Sequence, residues 1–281
     1  MKFNIPRILF LKIFSQAECN FLSHFYLLRF KFYRGILEIP MKIRHRLFMA
    51  ITATVCSSLI GYAAEETYNL RYQAKPDDQL EYKILLNAKI NAQDIEINAS
   101  VTDHVKKVEK DGNVSIESQH KIQKVKVGNQ DLTGPFLTQA LDPVTLTFGP
   151  LREVIDIQGK GVNLSTYRMA YSSTLQIPEK PTKIGEKWSV DFKPNTKVNF
   201  LGGKANYELL GLEKLNSSDA LKLKWDYKET AGTSPLTAEG IAWLNPKDGS
   251  IMKITLMLNN APIAGLPMPL NNVKFIQERV K

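Results

Sequence analysis

Apolar and polar residues alternate through most of the chain from residue 68 onward. Between residues 221 and 228, Leu, Leu, Trp and Tyr alternate with Lys, Lys, Asp and Lys. A period of two is typical of a strand with one buried and one solvated face. Comparable runs occur at 68–74, 79–90, 94–108, 114–127, 144–157, 186–192, 204–212, 237–244, 250–258 and 273–280.

Polar turn sequences separate these predicted strands, at 110–113 (KDGN), 216–219 (NSSD) and 245–249 (NPKDG). No segment sustains a helical period for long, so at most short helices are predicted, at 134–141 and 163–174. Many short strands at regular spacing favour an all-β fold of curved antiparallel sheets. A sandwich and an open barrel remain as alternatives.

A weak internal repeat suggests two related β halves. The first half has KPDDQLEYKI followed by VKKVEKDGNVSIES, and the second has TKIGEKWSVDF followed by LLGLEKLNSSDALKLKW. Each pair has a polar turn, a strand with an aromatic residue and a hairpin whose first strand ends in Glu-Lys. Duplication would give halves at 64–178 and 179–281, but sequences of period two also resemble one another by chance.

Residues 41–63 have the three parts of a secretory signal peptide. Basic residues follow Met41, and an uncharged, mostly apolar run of about 14 residues begins at Leu47. Gly61 and Ala63 occupy the small-residue positions before a cut after Ala63. A membrane-spanning helix needs roughly 20 apolar residues. We therefore expect cleavage near Ala63, a secreted or periplasmic location and no transmembrane segment in the mature chain.

Residues 1–40 precede this complete export signal, although such a signal normally begins at the N-terminus. We expect them to be an N-terminal extension from a start assigned too early, with Met41 as the initiator. The alternative is an unusually long basic region of the signal peptide.

Cleavage changes the composition. The full chain has a net charge of +9, but residues 1–63 hold nine of its 37 basic and two of its 28 acidic residues, which leaves +2. Only four arginines remain, which argues against nucleic-acid binding because Arg is the preferred ligand of phosphate and guanine. Both cysteines, Cys19 and Cys56, precede the cut, so no disulfide or cysteine metal ligand is expected.

The two histidines of the mature chain, His104 and His120, fall on the strands of one predicted hairpin. A turn centred on Asp111-Gly112 would pair residues whose numbers sum to 223, which places His120 opposite Asp103. The two imidazoles then lie on opposite faces and cannot share a metal ion. We interpret Asp103 and His120 as a local ion pair or hydrogen bond rather than an orienting dyad.

Sequence motifs of common hydrolases are missing. There is no Gly-x-Ser-x-Gly, no His-Glu-x-x-His, no phosphate-binding glycine loop and no calcium loop. A glycosidase needs only two suitably spaced carboxylates, but most Asp and Glu residues here fall on polar faces or in turns. The chain is therefore expected to be non-enzymatic and to need no cofactor, with a hydrolase using Asp/Glu pairs as a weaker alternative.

The segment 259–272 is uncharged and carries three prolines among apolar residues. Proline lacks a backbone donor, so this segment must form a loop. It either closes one end of the β domain or contacts an apolar ligand or partner. The tryptophans either pack in the core or line a shared cavity. The candidate binding residues are Ile263, Leu266, Met268, Leu270, Trp188 and Trp243.

Three stretches, 70–82, 175–188 and 240–253, together resemble uncharacterised secreted bacterial β-repeat proteins. The quoted patterns are LRYQAKPDDQLEY, with Asp78 where a glycine is more usual, LQIPEKPTKIGEKW, and GIAWLNPKDGSIMK. The last is also similar to a hairpin of LolA/LolB-like envelope carriers, a likeness of fold alone. The resemblance implies an exported β fold and no catalytic residue.

These observations favour a non-enzymatic exported β protein that binds an apolar ligand or an envelope partner. A structural envelope protein whose loop merely seals its core is the alternative.

Overall fold

The computed structural model describes residues 66–134, 142–263 and 268–280. The predicted extension 1–40, the signal peptide, both cysteines and nearly all of the helix predicted at 134–141 lie outside these residues. A curved antiparallel sheet of 12 strands contains most of the described chain, which confirms the all-β prediction. The sheet is open and has two free edges.

The strands form two meanders that meet in the middle of the sheet. The chain starts near the centre, moves outward strand by strand to one edge, crosses to the other edge and returns. The first meander comprises β2 (Gln79–Ile90), β3 (Gln93–Val108), β4 (Val114–Val127), β5 (Gln130–Asp131), β6 (Val144–Phe148) and β7 (Val154–Gln158). The second comprises β9 (Lys187–Phe192), β10 (Gly203–Leu215), β11 (Ser218–Glu229), β12 (Thr237–Leu244), β13 (Ile251–Asn259) and β14 (Val273–Arg279).

The boundary predicted at 178/179 lies between the two meanders, but β2 pairs with β14, so strands from both sides share one sheet. A separate two-stranded sheet joins β1 (Thr67–Tyr68) to β8 (Thr182–Lys183). Most of the strand predicted at 68–74 is therefore irregular. The strand predicted at 144–157 is two strands, because the chain turns at 149–152 between β6 and β7.

The predicted helix at 163–174 is confirmed as α1 (Leu164–Ser173). Asn163 caps its N-terminus, since its side chain accepts hydrogen bonds from the N–H groups of Ser165 and Thr166. The helix lies in the crossing between the two edges and buries Tyr167 and Tyr171 against one face of the sheet, which we call the inner face. Among the described residues, no helix is both long and apolar enough to cross a membrane.

The register of the β3–β4 hairpin differs from the predicted one by two residues. Val108 pairs with Val114 across a longer turn, and a bulge between Val105 and Lys107 adds a second shift of one residue. A shift of one residue moves each side chain to the other face of the sheet, because side chains alternate with period two. Two such shifts therefore return each side chain to its predicted face. The predicted faces are therefore correct, but the predicted partner of Asp103 is wrong.

The described part of the second meander is densely packed on its inner face. Leu209, Leu223, Trp225 and Leu244 are essentially inaccessible to solvent. Trp225 lies directly opposite Gly240 in β12, and a Cβ atom on Gly240 would overlap its indole ring. The glycine therefore makes room for the largest side chain of the core.

Candidate functional site

A cavity of about 370 Å³ lies on the inner face, mainly over the first meander, and we call it the inner-face cavity. Its walls come from β2, β3, β4, β6, β13 and β14, from the turn 149–152 and from the C-terminal end of α1. Ligand pockets in proteins usually measure about 300–1,000 Å³. The cavity is therefore large enough to hold a small molecule.

Apolar side chains cover most of the cavity wall. They lie at alternate positions of their strands, so the period-two pattern directs them all to the inner face. Ile116, for example, is directly opposite Leu146. Many of these side chains are only partly buried, unlike those of the second meander. The main apolar lining residues are Leu80, Ile116, Leu146, Phe148, Ile254 and Phe275.

The carboxyl group of Asp103 interrupts this apolar lining. Asp103 pairs with Ser118 in the adjacent strand, and the Ser118 hydroxyl donates a hydrogen bond of 2.6 Å to Oδ1. Burial raises the pKa of Asp103, and the hydrogen bond from Ser118 opposes this effect. The cavity therefore contains one carboxyl group that is harder to ionise than an exposed one.

A cationic group, Arg152, enters the cavity wall from the turn between β6 and β7. Its backbone is left-handed, with φ of 65°, in a turn closed by the hydrogen bond from its N–H to the Gly149 carbonyl. Nη2 donates to the carbonyl groups of Leu70, at 3.2 Å, and Gly249. Nε is buried and has no hydrogen-bond partner. Burial lowers the pKa of Arg152 to about 10.

Two tyrosines complete a buried polar cluster, which we define as Tyr72, Tyr82, Asp103 and Arg152. The Tyr72 hydroxyl is buried without a partner, whereas the Tyr82 hydroxyl donates to the Ile251 carbonyl at 3.4 Å. Burial raises the pKa of Tyr72 to about 12, and burial also raises the pKa of Tyr82. The charges of Asp78 and Asp248, and less strongly that of Asp103, add to this effect at Tyr72, whereas Asp103 is the first of the charges that add to it at Tyr82. In both cases the charge of Arg152 opposes the effect. The four groups therefore share one electrostatic environment.

The wall formed by the end of α1 is fixed by donors from the second meander. Trp225 Nε1 donates to the Ser172 carbonyl at 3.1 Å, and the Tyr207 hydroxyl donates to the Thr174 carbonyl at 2.9 Å. These bonds satisfy carbonyl groups that a helix leaves free at its C-terminus. Arg168 and Glu229 add an ion pair with two contacts of 2.7 Å. The densely packed second meander therefore positions the wall of the cavity that α1 forms.

The two predicted tryptophan candidates lie on opposite faces of the sheet. Trp188 is on the inner face, where its ring stacks on Tyr207 with centroids 5.4 Å apart. Trp243 is on the outer face, where Nε1 donates to Glu213 at 2.6 Å and Lys222 Nζ lies 5.6 Å from the ring centroid. The tryptophans therefore do not line one shared cavity, and neither contributes to the inner-face cavity.

The predicted binding segment 259–272 joins β13 to β14. Ile263 packs against the core, Met268 is 58% exposed and Leu266 lies outside the described residues. Leu270 is 4% exposed, and its backbone exchanges two hydrogen bonds with Ala261. Leu270 is therefore part of the core, while partner binding by the rest of the segment stays a prediction.

The predicted placement of the histidines on opposite faces is confirmed. His104 is on the outer face, with Nε2 at 3.5 Å from Asp77, whereas His120 is on the inner face opposite Val101. Burial lowers the pKa of His120. In the described part of the chain, no three His, Cys, Asp or Glu residues are grouped as metal ligands.

Sequence reasoning identified Asp103 only as a hairpin partner of His120 and did not identify Arg152. The alternating pattern of β3 offered a signal, because Asp103 falls between Val101 and Val105 on the apolar face. For Arg152 no comparable signal exists, since its burial depends on segments near residues 70 and 249 that are distant in sequence.

No protein-family model matches the sequence, and no curated protein is similar to it. Among solved structures, a Bacteroides fragilis protein described as exported, with a YmcC-like fold, has a TM-score of 0.37 and 8% identity; the match covers 76% of this chain and 98% of that one. A Desulfovibrio piger protein of the DUF1329 family has a TM-score of 0.22 and 9% identity, over 73% and 85% of the two chains.

Proposed function

We propose that this chain is a non-enzymatic exported protein that binds an apolar ligand in the inner-face cavity. The observation that carries the proposal is a cavity of about 370 Å³ whose wall is mostly apolar but includes a few converging polar groups. Such a combination is typical of small-molecule binding sites, where apolar area gives affinity and polar groups fix orientation.

The polar groups of the cavity suit binding better than hydrolysis. A glycosidase uses two carboxyl groups on either side of the scissile bond. Asp103 is instead bonded to the Ser118 hydroxyl, and no other Asp or Glu lines the cavity in the described part of the chain. The proposal therefore assigns no catalytic residue.

The inner-face cavity is separate from the other candidate site, the segment 259–272. Ser250, Ile251 and Gln277 place it toward the end of the β13–β14 hairpin that lies away from this segment. The two candidates can therefore be tested separately.

A pair of matched substitutions tests the cavity. Ile116→Trp fills it from β4, whereas Ile155→Trp adds the same side chain at a position of β7 that is 49% exposed. Uptake of the neutral probe N-phenyl-1-naphthylamine should fall by about tenfold or more in Ile116→Trp, because the indole occupies the volume that the probe needs. It should be unchanged in Ile155→Trp, and thermal unfolding checks that both variants fold.

Equal uptake by both variants would contradict the proposed site. Loss of uptake in Met268→Asp, with Ile116→Trp unaffected, would move the site to the segment 259–272. A wild-type protein that takes up no probe, and whose native mass after purification from the envelope shows no bound molecule, would favour a purely structural role.

A further inference from the structure

We infer that the ligand of the inner-face cavity carries an anionic group, a carboxylate or phosphate, which binds to Arg152. This inference rests on the proposed function and specifies the chemical class of the ligand. It is carried by the arrangement of charges around the guanidinium group.

The cationic side chain of Arg152 has only neutral hydrogen-bond partners. Nη2 donates to two backbone carbonyls, and the buried Nε has no partner among the described residues. A buried charge is costly unless it is paired and fully hydrogen-bonded. Arg152 therefore provides an unused donor and a positive charge without a direct ion pair at the cavity wall.

The nearby carboxylate that could neutralise Arg152 is occupied by other donors. Asp248 accepts hydrogen bonds from the backbone N–H and the hydroxyl of Ser250, at 2.8 and 2.6 Å, and from the Asn245 amide at 3.2 Å. Arg279 in turn donates to the Ser250 hydroxyl at 2.7 Å. Asp248 is thus part of a separate network, and Asp103 is bonded to Ser118 rather than to Arg152.

The rest of the cavity sets the orientation and size of such a ligand. Asp103 disfavours an anion at its own wall, so the anionic group should lie at the Arg152 wall, where the unpartnered Tyr72 hydroxyl is a further donor. The remaining apolar wall suits a hydrocarbon. At about 30 Å³ for each water-sized group, 370 Å³ accommodates roughly a dozen such groups. The predicted class is an amphiphile with a medium-length aliphatic chain.

Three probes with the same chain test this inference. Dodecanoate, dodecyl phosphate and dodecan-1-ol are titrated into the delipidated protein, produced with its own N-terminal segment, and binding is measured by calorimetry. Both anions should bind at least about tenfold more tightly than the alcohol, because charge-assisted hydrogen bonds are about twice as strong as neutral ones. The tighter of the two anions identifies a carboxylate or a phosphate as the preferred group.

Two substitutions of Arg152 separate charge from shape. Arg152→Gln should remove the preference for anions, so that the affinities of the variant for the three probes lie within about twofold of one another, whereas Arg152→Lys should keep part of the preference. Asp103→Asn should strengthen binding of both anions by about twofold to fivefold, since it removes a repelling charge. If Arg152→Gln does not fold, the wild-type preference and the effect of Asp103→Asn still decide the question.

Equal affinity of the wild-type protein for all three probes would overturn the inference while leaving the proposed function intact. An unchanged preference in folded Arg152→Gln would also overturn it. If none of the three probes binds, the proposed function fails as well.

Discussion

The two meanders of the sheet fill their inner faces in different ways. Between β11 and β12 of the second meander, large residues face small ones, as Trp225 and Gly240 do, and the side chains are inaccessible to solvent. In the first meander, side chains of similar size face each other, as Ile116 and Leu146 do, and leave a cavity. Two regions with the same alternating pattern thus differ in packing, because complementary size rather than hydrophobicity fills a core.

The difference also extends to polar groups. In the second meander, the buried carboxylate Glu229 is fully paired, because it binds Arg168 through two contacts of 2.7 Å and accepts a hydrogen bond from the Leu236 N–H at 2.7 Å. In the first, Asp103 and Arg152 line the same cavity, and no ion pair joins them. Unpaired charges lower the stability of a fold, and their presence in a cavity is typical of a functional site.

The largest expected effect compares an aromatic residue from each region. Trp225→Ala should lower the free energy of unfolding by about 3–5 kcal/mol, because it leaves a void in a dense core and frees the Ser172 carbonyl. Phe148→Ala should cost only about 1–2 kcal/mol, since its ring borders the cavity and loses fewer contacts. Urea unfolding monitored by circular dichroism measures the free energy of unfolding of both variants. Equal losses of stability would contradict the difference in packing between the two meanders.

The next effect concerns the ion pair that attaches α1 to the dense region. Arg168→Met should cost about 3 kcal/mol, because it leaves Glu229, whose side chain is 6% exposed, as a buried and unpaired charge. The exposed pair Lys214–Asp219 is the control, and Lys214→Met should cost less than about 0.5 kcal/mol. Because α1 also forms a wall of the cavity, Arg168→Met should weaken probe uptake, whereas unchanged uptake would show that the wall does not depend on this pair.

Enlarging a side chain on the inner face should have a smaller effect on stability, and this effect should differ between the two meanders. Leu223→Phe should cost about 1–3 kcal/mol, because the residue is inaccessible and its neighbours leave no space. Leu80→Phe should change stability by less than about 0.5 kcal/mol, since the larger ring extends into the cavity. Thermal unfolding of both variants tests this, and a large loss in Leu80→Phe would mean that the cavity collapses in solution.

The sequence predicted the strands well but could not predict the cavity. Alternation is a local property, so the runs at 79–90 and 114–127 coincide with β2 and β4. The volume enclosed between strands depends on which side chains meet across the sheet and on where α1 lies, and both are set by contacts between distant residues. Arg152 shows this most clearly, because its partners Leu70 and Gly249 are 82 and 97 residues away from it in the sequence.

The hairpin of β3 and β4 shows the same limit on a smaller scale. The face of each residue followed from alternation, whereas its partner depended on the exact turn and on the bulge between Val105 and Lys107. Asp103 was therefore placed on the correct face with the wrong partner. For the tryptophans the face itself could not be predicted, since Trp188 and Trp243 both follow a strand pattern that does not reveal which face is inner.

The smallest expected effect tests the unpaired carboxyl group through its pH dependence. Because burial raises the pKa of Asp103 above its unfolded value of about 4, folding favours the protonated form. The stability that this preference provides is complete below pH 4 and is lost as the pH rises through the raised pKa. Asp103→Asn removes the titration and keeps an acceptor for the Ser118 hydroxyl. The variant should therefore match the wild type near pH 4 and be more stable at pH 7, by about 1 kcal/mol.

Asp191→Asn is a suitable control for this pH dependence, because Asp191 lies on the outer face of β9 and is exposed. As an exposed substitution, Asp191→Asn should change the free energy of unfolding at pH 7 by less than about 0.5 kcal/mol, as measured by urea unfolding. If Asp103→Asn is less stable than the wild type at pH 7, the carboxylate is paired with a cation in solution. Arg152 lines the same cavity and is the candidate for that cation, and the contrast between a paired and an unpaired region would then disappear.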